Sequence, residues 1–394
     1  MKVAFVVPRY GTEVLGGAEY GARMLAERLV SQLGWQVEAL TTCAADSRTW
    51  ADEYPPGDAD LNGVRVRRFR SAAGRAAGFE SFSARVLPAP ENASPADQRR
   101  WIDLQGPVAP DLVAAAADGG ADVVVFYPYL YWPTVRGVPA VGRRAVMHPA
   151  AHDEAPLRLP LFRDVFAGVG GLVFQTYGER RLVEERFPVA ATPQVVMGLG
   201  VEPGAGTPEA ARRALGLGDE PYLLCLGRVD DGKGTGVLAR FFAALKARRP
   251  GPLKLVLAGP VVHPVAPHPD IVAAGPVPEE VKWGALRGAV ALVSPSPFEA
   301  FSIVVVEAWT AGIPVLVNGF CAATAEHVAR SGGGLAFTGY GQFEVAVSRL
   351  VADAGLAAQL ARRGAAHVER HFAWPWIMER YGGFLERAAE RAAR

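Results

Sequence analysis

Residues 290–317 read VALVSPSPFEAFSIVVVEAWTAGIPVLV. The run Val290–Val293 is short, apolar and β-branched, as a buried strand is. Ser302 is a good N-cap type and Gly312-Ile-Pro314 a good stop, so a helix is expected over Ser302–Ala311. Val304–Val306 are mediocre helix formers, which leaves a strand open at that point. Val315–Val317 then reads as the next strand. Strand, helix, strand is the unit from which parallel sheets are built, with right-handed crossovers.

The same alternation extends in both directions. Upstream, Tyr222–Leu226 reads as a strand, Gly236–Lys246 as a helix, Leu253–Ala258 as a strand and Pro278–Arg287 as a short helix. Helical patterns dominate from Gln342 onwards. At the amino end, Val3–Val7 is a continuous apolar run and Pro8 to Gly17 a loop. A helix over about Ala18 to Gln32 follows, with Tyr20, Met24, Leu25 and Leu29 at helical spacing, and Gly34 stops it. Strands are expected at Val37–Thr41, Val64–Phe69, Val123–Tyr127, Ala145–Met147 and Leu172–Gln175, with loops and helices over 71–118. Between Met197 and Pro208 the Gly and Pro content suits a linker. The fold class is therefore α/β, with two successive doubly wound halves, residues 1–200 and 201–374.

Composition agrees. At 394 residues, two domains are the natural expectation, and 50% hydrophobic with 21% charged residues argues against disorder. The 41 basic and 40 acidic side chains leave a net charge of +1, without the basic excess that a nucleic-acid binder carries. Cys43, Cys225 and Cys321 are odd in number and far apart, as buried small hydrophobes in a reducing cytoplasm are. Val3–Val7 is too short for a signal-peptide core, and the longest apolar run, Val123–Trp132, is too short for a membrane span. A soluble cytoplasmic protein is expected, with peripheral contact at the inner membrane face left open.

Several groups carry chemistry. A helix amino terminus exposes unpaired N–H groups and the positive end of its dipole, so main chain near Phe301, Ser302 and Ile303 is a phosphate cradle. Glu299 lies just before that helix, where a carboxylate accepts from sugar hydroxyls. Glu307 lies about one and a half turns inside it, where it could take both hydroxyls of a ribose. A capped amphipathic helix with two solvated glutamates is the bland alternative. Gly227-Arg228-Val-Asp-Asp-Gly-Lys233-Gly234 opens from a strand into a Gly-rich loop with two cations suited to a diphosphate. It matches neither the P-loop nor the three-glycine dinucleotide fingerprint. Gly16-Gly17 at a helix entrance suits a loop lying against a ligand, or a plain tight turn. Met147-His148-Pro-Ala-Ala-His152-Asp153-Glu154 follows a strand, where open α/β sheets bind ligands. Its spacing is no metal signature, and structural histidines are the alternative. Arg65, Arg67, Arg68 and Arg70 form a basic stripe, read as a solvated surface or as a patch for lipid or an anionic acceptor.

In register along almost the whole chain, these segments resemble the retaining glycosyltransferases of family 4, with the two-Rossmann GT-B fold. Glu299 and Glu307 look like the family's E-x7-E motif and Ala311-Gly-Ile-Pro-Val its continuation. Gly227-Arg228 with Lys233-Gly234 looks like the donor-diphosphate loop. Gly259-Pro260 and Gly275-Pro-Val277 fit the base-side turns, with base contacts near Val277. Gly16-Gly17 matches the amino-terminal loop near donor phosphate and acceptor, and Gly198-Leu-Gly-Val-Glu202 the domain junction. The resemblance implies two domains facing each other across a cleft, with the last helix, 375–394, crossing back to the first. It implies a nucleotide-sugar donor, an acceptor hydroxyl not yet identified and same-face transfer. Catalytic roles fall to Arg228, Lys233, Glu299 and His152, and donor binding to Gly16, Gly17, Val277, Phe301, Ser302, Ile303 and Glu307. His148 is a rival for the histidine's part and Asp153 a further candidate. No cofactor or metal is expected, because cationic side chains do the neutralising. A nucleotide-sugar epimerase and a non-catalytic glycan- or nucleotide-binding scaffold are the alternatives.

Overall fold

The computed structural model describes every residue except Leu15 and Gly119. The chain divides into two compact units, Met1–Gly198 with Pro375–Arg394, and Leu199–Trp374.

The first unit holds eight strands: β1 (Lys2–Val6), β2 (Gln36–Thr42), β3 (Gly57–Leu61), β4 (Val64–Phe69), β5 (Val123–Phe126), β6 (Ala145–Met147), β7 (Gly171–Phe174) and β8 (Gln194–Val196). Their order is β3-β4-β2-β1-β5-β6-β7-β8. All pairs are parallel except the hairpin of β3 and β4. The central strands β1, β5 and β7 are buried on both faces, as their unbroken apolar runs require. The helix Gly17–Leu33 links β1 to β2 and ends at Gly34, a left-handed C-cap. The last helix, Trp374–Ala392, runs mostly in this unit and buries Ile377, Tyr381, Phe384 and Leu385.

The second unit holds β9 (Tyr222–Leu226), β10 (Lys254–Ala258), β11 (Ile271–Gly275), β12 (Ala291–Ser294), β13 (Val315–Asn318) and β14 (Gly334–Phe337), all parallel, in the order β11-β10-β9-β12-β13-β14. The sheet therefore grows from β9 outward to β11, then returns to place β12 on the other side of β9. That reversal leaves a crevice at the carboxyl ends of β9 and β12, where open α/β sheets take ligands. The first unit has its own reversal between β1 and β5.

Val304–Val306 are helical, within Ile303–Thr310. Val305 and Val306 are fully buried there, so packing overrides their modest propensity. The basic stripe is largely neutralised. Arg65 pairs with Asp58 of β3, Arg67 lies 3.4 Å from Glu38, and Arg70 lies 3.4 Å from Asp52. Arg68 instead lies over the Tyr54 ring and donates to the Tyr10 carbonyl.

Candidate active site

The crevice of the second sheet is built from the loops that follow β9 and β12. In the first, Asp230 is the organiser. Its carboxylate accepts the Lys233 amide at 2.7 Å and lies 3.4 Å from Arg228 Nε. Its carbonyl accepts the Thr235 hydroxyl at 3.0 Å. Gly234 takes a left-handed conformation with φ 72°, and a Cβ there would stand 2.6 Å from the Pro295 carbonyl. Only glycine lets the two loops approach so closely. Asn318, at the end of β13, donates to the same carbonyl at 3.0 Å and so ties a third loop in.

Across this junction Lys233 Nζ meets Glu299 Oε1 at 2.7 Å. Both side chains keep some exposure, 32% and 18% respectively, so the pair is reachable from solvent. Arg228, on the same loop and against Asp230, is 61% exposed, a guanidinium with free donors. Two cations, Arg228 and Lys233, and two carboxylates, Asp230 and Glu299, are thus held by the loops at the sheet's crevice.

Ser302 sits at the N-cap position of the Ile303–Thr310 helix, but not as a cap. Its backbone is left-handed, φ 68°, and its hydroxyl caps no amide. That hydroxyl is buried without a hydrogen-bond partner, a costly state for a polar group unless something meets it there. The Phe301 side chain is turned away, buried against His327 and Phe372 at ring distances of 5.0 and 5.3 Å. Only its main chain remains for a ligand, and its carbonyl is held by His327 Nε2 at 2.7 Å. Burial pushes His327 down to about 4, so it is neutral at physiological pH and donates to that carbonyl.

Glu307 is buried one turn further on. Its Oε1 lies 2.8 Å from Lys282 Nζ, and the same ammonium lies 2.8 Å from Glu279. Burial pushes the Glu307 carboxyl up, and Lys282 pulls it part of the way back. Burial works on Lys282 the other way, but Glu307 and Glu279 outweigh it and hold its proton more firmly than usual. Val277 is half-buried just beyond β11, after the left-handed Gly275.

The remaining candidates lie in the first unit. Gly16 precedes the Gly17–Leu33 helix in extended conformation, and a Cβ on it would stand 2.1 Å from Glu19 Oε2. Gly17 is open. Glu19 itself is buried, accepting from Arg9 Nε at 3.0 Å. His148 does not present itself to a ligand. It is 2% exposed, stacked on Tyr127 at 4.8 Å and bonded to the Tyr381 hydroxyl at 3.0 Å. Burial pushes it down to about 3, so it stays neutral. His148 is thus a core histidine that packs the last helix, which corrects its rivalry with His152. His152 is 30% exposed, 3.9 Å from Glu154. Asp153 pairs with Arg186 at 2.8 Å and is largely exposed. The loop carrying His152 is pinned by Glu179, which accepts the Ala151 amide at 2.8 Å and the Gln175 amide at 2.7 Å. Burial pushes Glu179 up to about 8 against those amides.

Asp230, Lys282, His327 and Asn318 were not singled out in the sequence. Only Asp230 carried a visible signal, as an acid inside the Gly-rich loop. No helix among the described residues is long and apolar enough to cross a membrane.

Residues 220–353 match the family model described as glycosyl transferases group 1. A D-inositol 3-phosphate glycosyltransferase of Acidothermus cellulolyticus is 28% identical over 255 residues, 58% of this chain and 56% of that protein. The match thus spans little more than half the length of this curated relative. Among solved structures, sucrose-phosphate synthase from Thermosynechococcus elongatus superposes with a TM-score of 0.72 at 18% identity, covering 100% of both chains. An α,α-trehalose-phosphate synthase from Burkholderia vietnamiensis gives 0.71 at 12% identity, over 98% of this chain and 100% of that one. Anabaena HepE in complex with UDP and glucose gives 0.69 at 15% identity, over 98% and 100%. At these identities the likeness concerns the fold.

Proposed function

We propose that this protein is a retaining glycosyltransferase, a reading supported by the match of residues 220–353 to the glycosyl transferases group 1 model and by a fold of the GT-B class. It moves a hexose from a nucleoside-diphosphate sugar to an acceptor hydroxyl. The observation that carries the reading is the Lys233–Glu299 pair at 2.7 Å, set at the reversal of the second sheet with Arg228 on the same loop as Lys233. Cations there meet a diphosphate and a carboxylate meets sugar hydroxyls, the two halves of one donor. The UDP and glucose bound by Anabaena HepE have the same two halves.

The roles follow from position. As the bond from sugar C1 to the diphosphate oxygen breaks, Arg228, Lys233 and the amides at the Ile303–Thr310 helix take up the growing negative charge. Glu299 orients the sugar, and its contact with Lys233 couples the two ends of the donor. The acceptor oxygen attacks C1 from the face the diphosphate leaves, and its proton passes to a leaving phosphate oxygen. Retention follows without a covalent enzyme intermediate. Glu307 binds the ribose, Val277 lies toward the base, and His152 positions the acceptor. Gly16 and Gly17 let main chain lie against the substrates. The protein is expected to turn over undiminished in EDTA, because Arg228 and Lys233 supply the neutralisation.

The direct test is release of nucleoside diphosphate from UDP-glucose, GDP-mannose and ADP-glucose across an acceptor panel, with the anomer of the product read by NMR. An inverted product would sink the retaining mechanism. Binding alone should also be visible. At ligand concentrations about 100 times Kd, linkage adds about 2.7 kcal/mol of stability, a Tm rise of several degrees. No shift with millimolar UDP, GDP or ADP would remove the donor site.

Ser302 gives a finer test. Ser302→Ala keeps the left-handed backbone and deletes the unpartnered hydroxyl, so nucleotide affinity is expected to fall roughly tenfold, as for a lost bond to a charged group. Ser302→Gly also loses the bond but relieves the backbone, and should melt higher than Ser302→Ala. Wild-type affinity in Ser302→Ala would remove the hydroxyl from the phosphate site.

A further inference from the structure

Lys282 is the charged group with no part yet in the reaction. It lies on the Glu279–Gly288 helix, the element that follows the base-side turn at Gly275 and Val277. Its ammonium reaches Glu307 Oε1 at 2.8 Å, and Glu307 is 5% exposed. The second oxygen, Oε2, is the one left to meet a ligand. Glu279, the other acid on Lys282, is 75% exposed and weakly held by comparison. The geometry is that of a cation fixing one oxygen of a buried carboxylate so that the other points in a set direction.

We propose that Lys282 is the positioning residue of the ribose site, and that it makes the protein select ribonucleotides over 2′-deoxyribonucleotides. This rests on the donor-nucleotide reading of Glu307. A carboxylate accepts a ribose hydroxyl best when it carries its charge and is aimed, and both conditions fall to Lys282. Without the cation, burial and the nearby Glu279 charge act on Glu307 and drive it toward the neutral acid. A neutral acid offers a weaker acceptor and can turn freely. A site built to bond a hydroxyl rejects the analogue that lacks it, because the protein group is then left unpaired. That rejection disappears when the group no longer needs the bond.

The charged groups bearing on Glu307 are Lys282 and Glu279. On the Ala354–His371 helix, which packs behind, His367 faces Trp309. The pH dependence of the ribose contact is therefore set by the Lys282–Glu307 pair.

The experiment measures the affinity of UDP, GDP and ADP, each against its 2′-deoxy counterpart, by titration calorimetry. Wild type, Lys282→Met and Lys282→Arg are compared, with Tm confirming the fold. Wild type should prefer the ribonucleotide by roughly tenfold, the worth of one bond to a charged acceptor. Lys282→Met should bind about tenfold more weakly with the preference collapsed toward unity, and Lys282→Arg should restore it. Affinity of Lys282→Met should recover more steeply than that of wild type as pH rises, since the unpaired Glu307 ionises at higher pH than the paired one. In turnover, KM for the donor should rise with kcat little changed, because the ribose is remote from the reacting carbon. A Lys282→Met protein that still prefers ribonucleotides as wild type does overturns the proposal and leaves the donor reading standing. A wild type that binds none of the three overturns the donor reading, and the proposal with it.

Discussion

Lys233→Ala is expected to lower kcat by roughly 10²–10³-fold, the loss typical when one donor to a developing oxyanion is removed. The reasoning runs through its two contacts. Its amide is bound to Asp230 and its ammonium to Glu299 at 2.7 Å, so the side chain is already aimed before substrate arrives. Preorganisation of this kind is what makes a charge effective in a transition state. Removing the ammonium also strands Glu299 beside the diphosphate, adding repulsion where neutralisation was needed. Arg228→Ala is expected to abolish most transfer, and Glu307→Gln most transfer at subsaturating donor through a raised KM, each leaving the fold intact. Arg228 is the more exposed of the two cations, and water will replace it in part. The check is single-turnover transfer with wild-type and variant proteins matched for Tm. Undiminished turnover in Lys233→Ala would take the diphosphate away from the β9 loop.

The largest expected effect on stability is at Gly259. It follows β10 with φ 144°, a conformation open to glycine almost alone, and a Cβ on it would stand 2.0 Å from the Gly227 carbonyl. The atom in the way is backbone, and Gly227 and Gly259 are themselves pinned by amide bonds to Ala258 and Gly275 at 3.0 and 2.8 Å. Neither can retreat cheaply. Gly259→Ala combines backbone strain with a clash, and a loss on the order of 4 kcal/mol or more is expected for the second unit. Since the chain forms two compact units, denaturation should be followed with probes in each. Trp283 and Trp309 report on the second unit and Trp101 on the first. A transition of the second unit that stays within a degree or so of wild type would show that the turn can rearrange.

Much of this molecule could be read from its amino acids. The buried strands β1, β5, β9 and β10 are continuous apolar runs, and their alternation with helices leaves little choice of fold. The GT-B class follows from motifs in register, and so does the likeness of residues 220–353 to the glycosyl transferases group 1. Edge strands were harder. β3 is Asp-rich and β11 ends in the small residues Ala273, Ala274 and Gly275, and each exists because a neighbour offers a partner: Arg65 pairs Asp58, and β11 lies along β10. Local pattern holds no trace of that. His148 and His152 are alike in sequence context, and only burial separates them. Ser302 was a cap by type, yet its backbone turned left-handed and freed its hydroxyl. Lys282 was invisible because its partner lies 25 positions away and is brought to it only by the crossover of the sheet.

The first unit is made of both ends of the chain, Met1–Gly198 and Pro375–Arg394. On the ribosome, the second unit has all its residues once Trp374 has emerged. The first, although begun earlier, waits for its closing helix, with the cavity meant for Ile377, Tyr381 and Phe384 unfilled and His148 lacking its hydroxyl partner. Maturation thus runs in the reverse of gene order. A truncation before Pro375 would spare the second unit and cripple the one that was translated first.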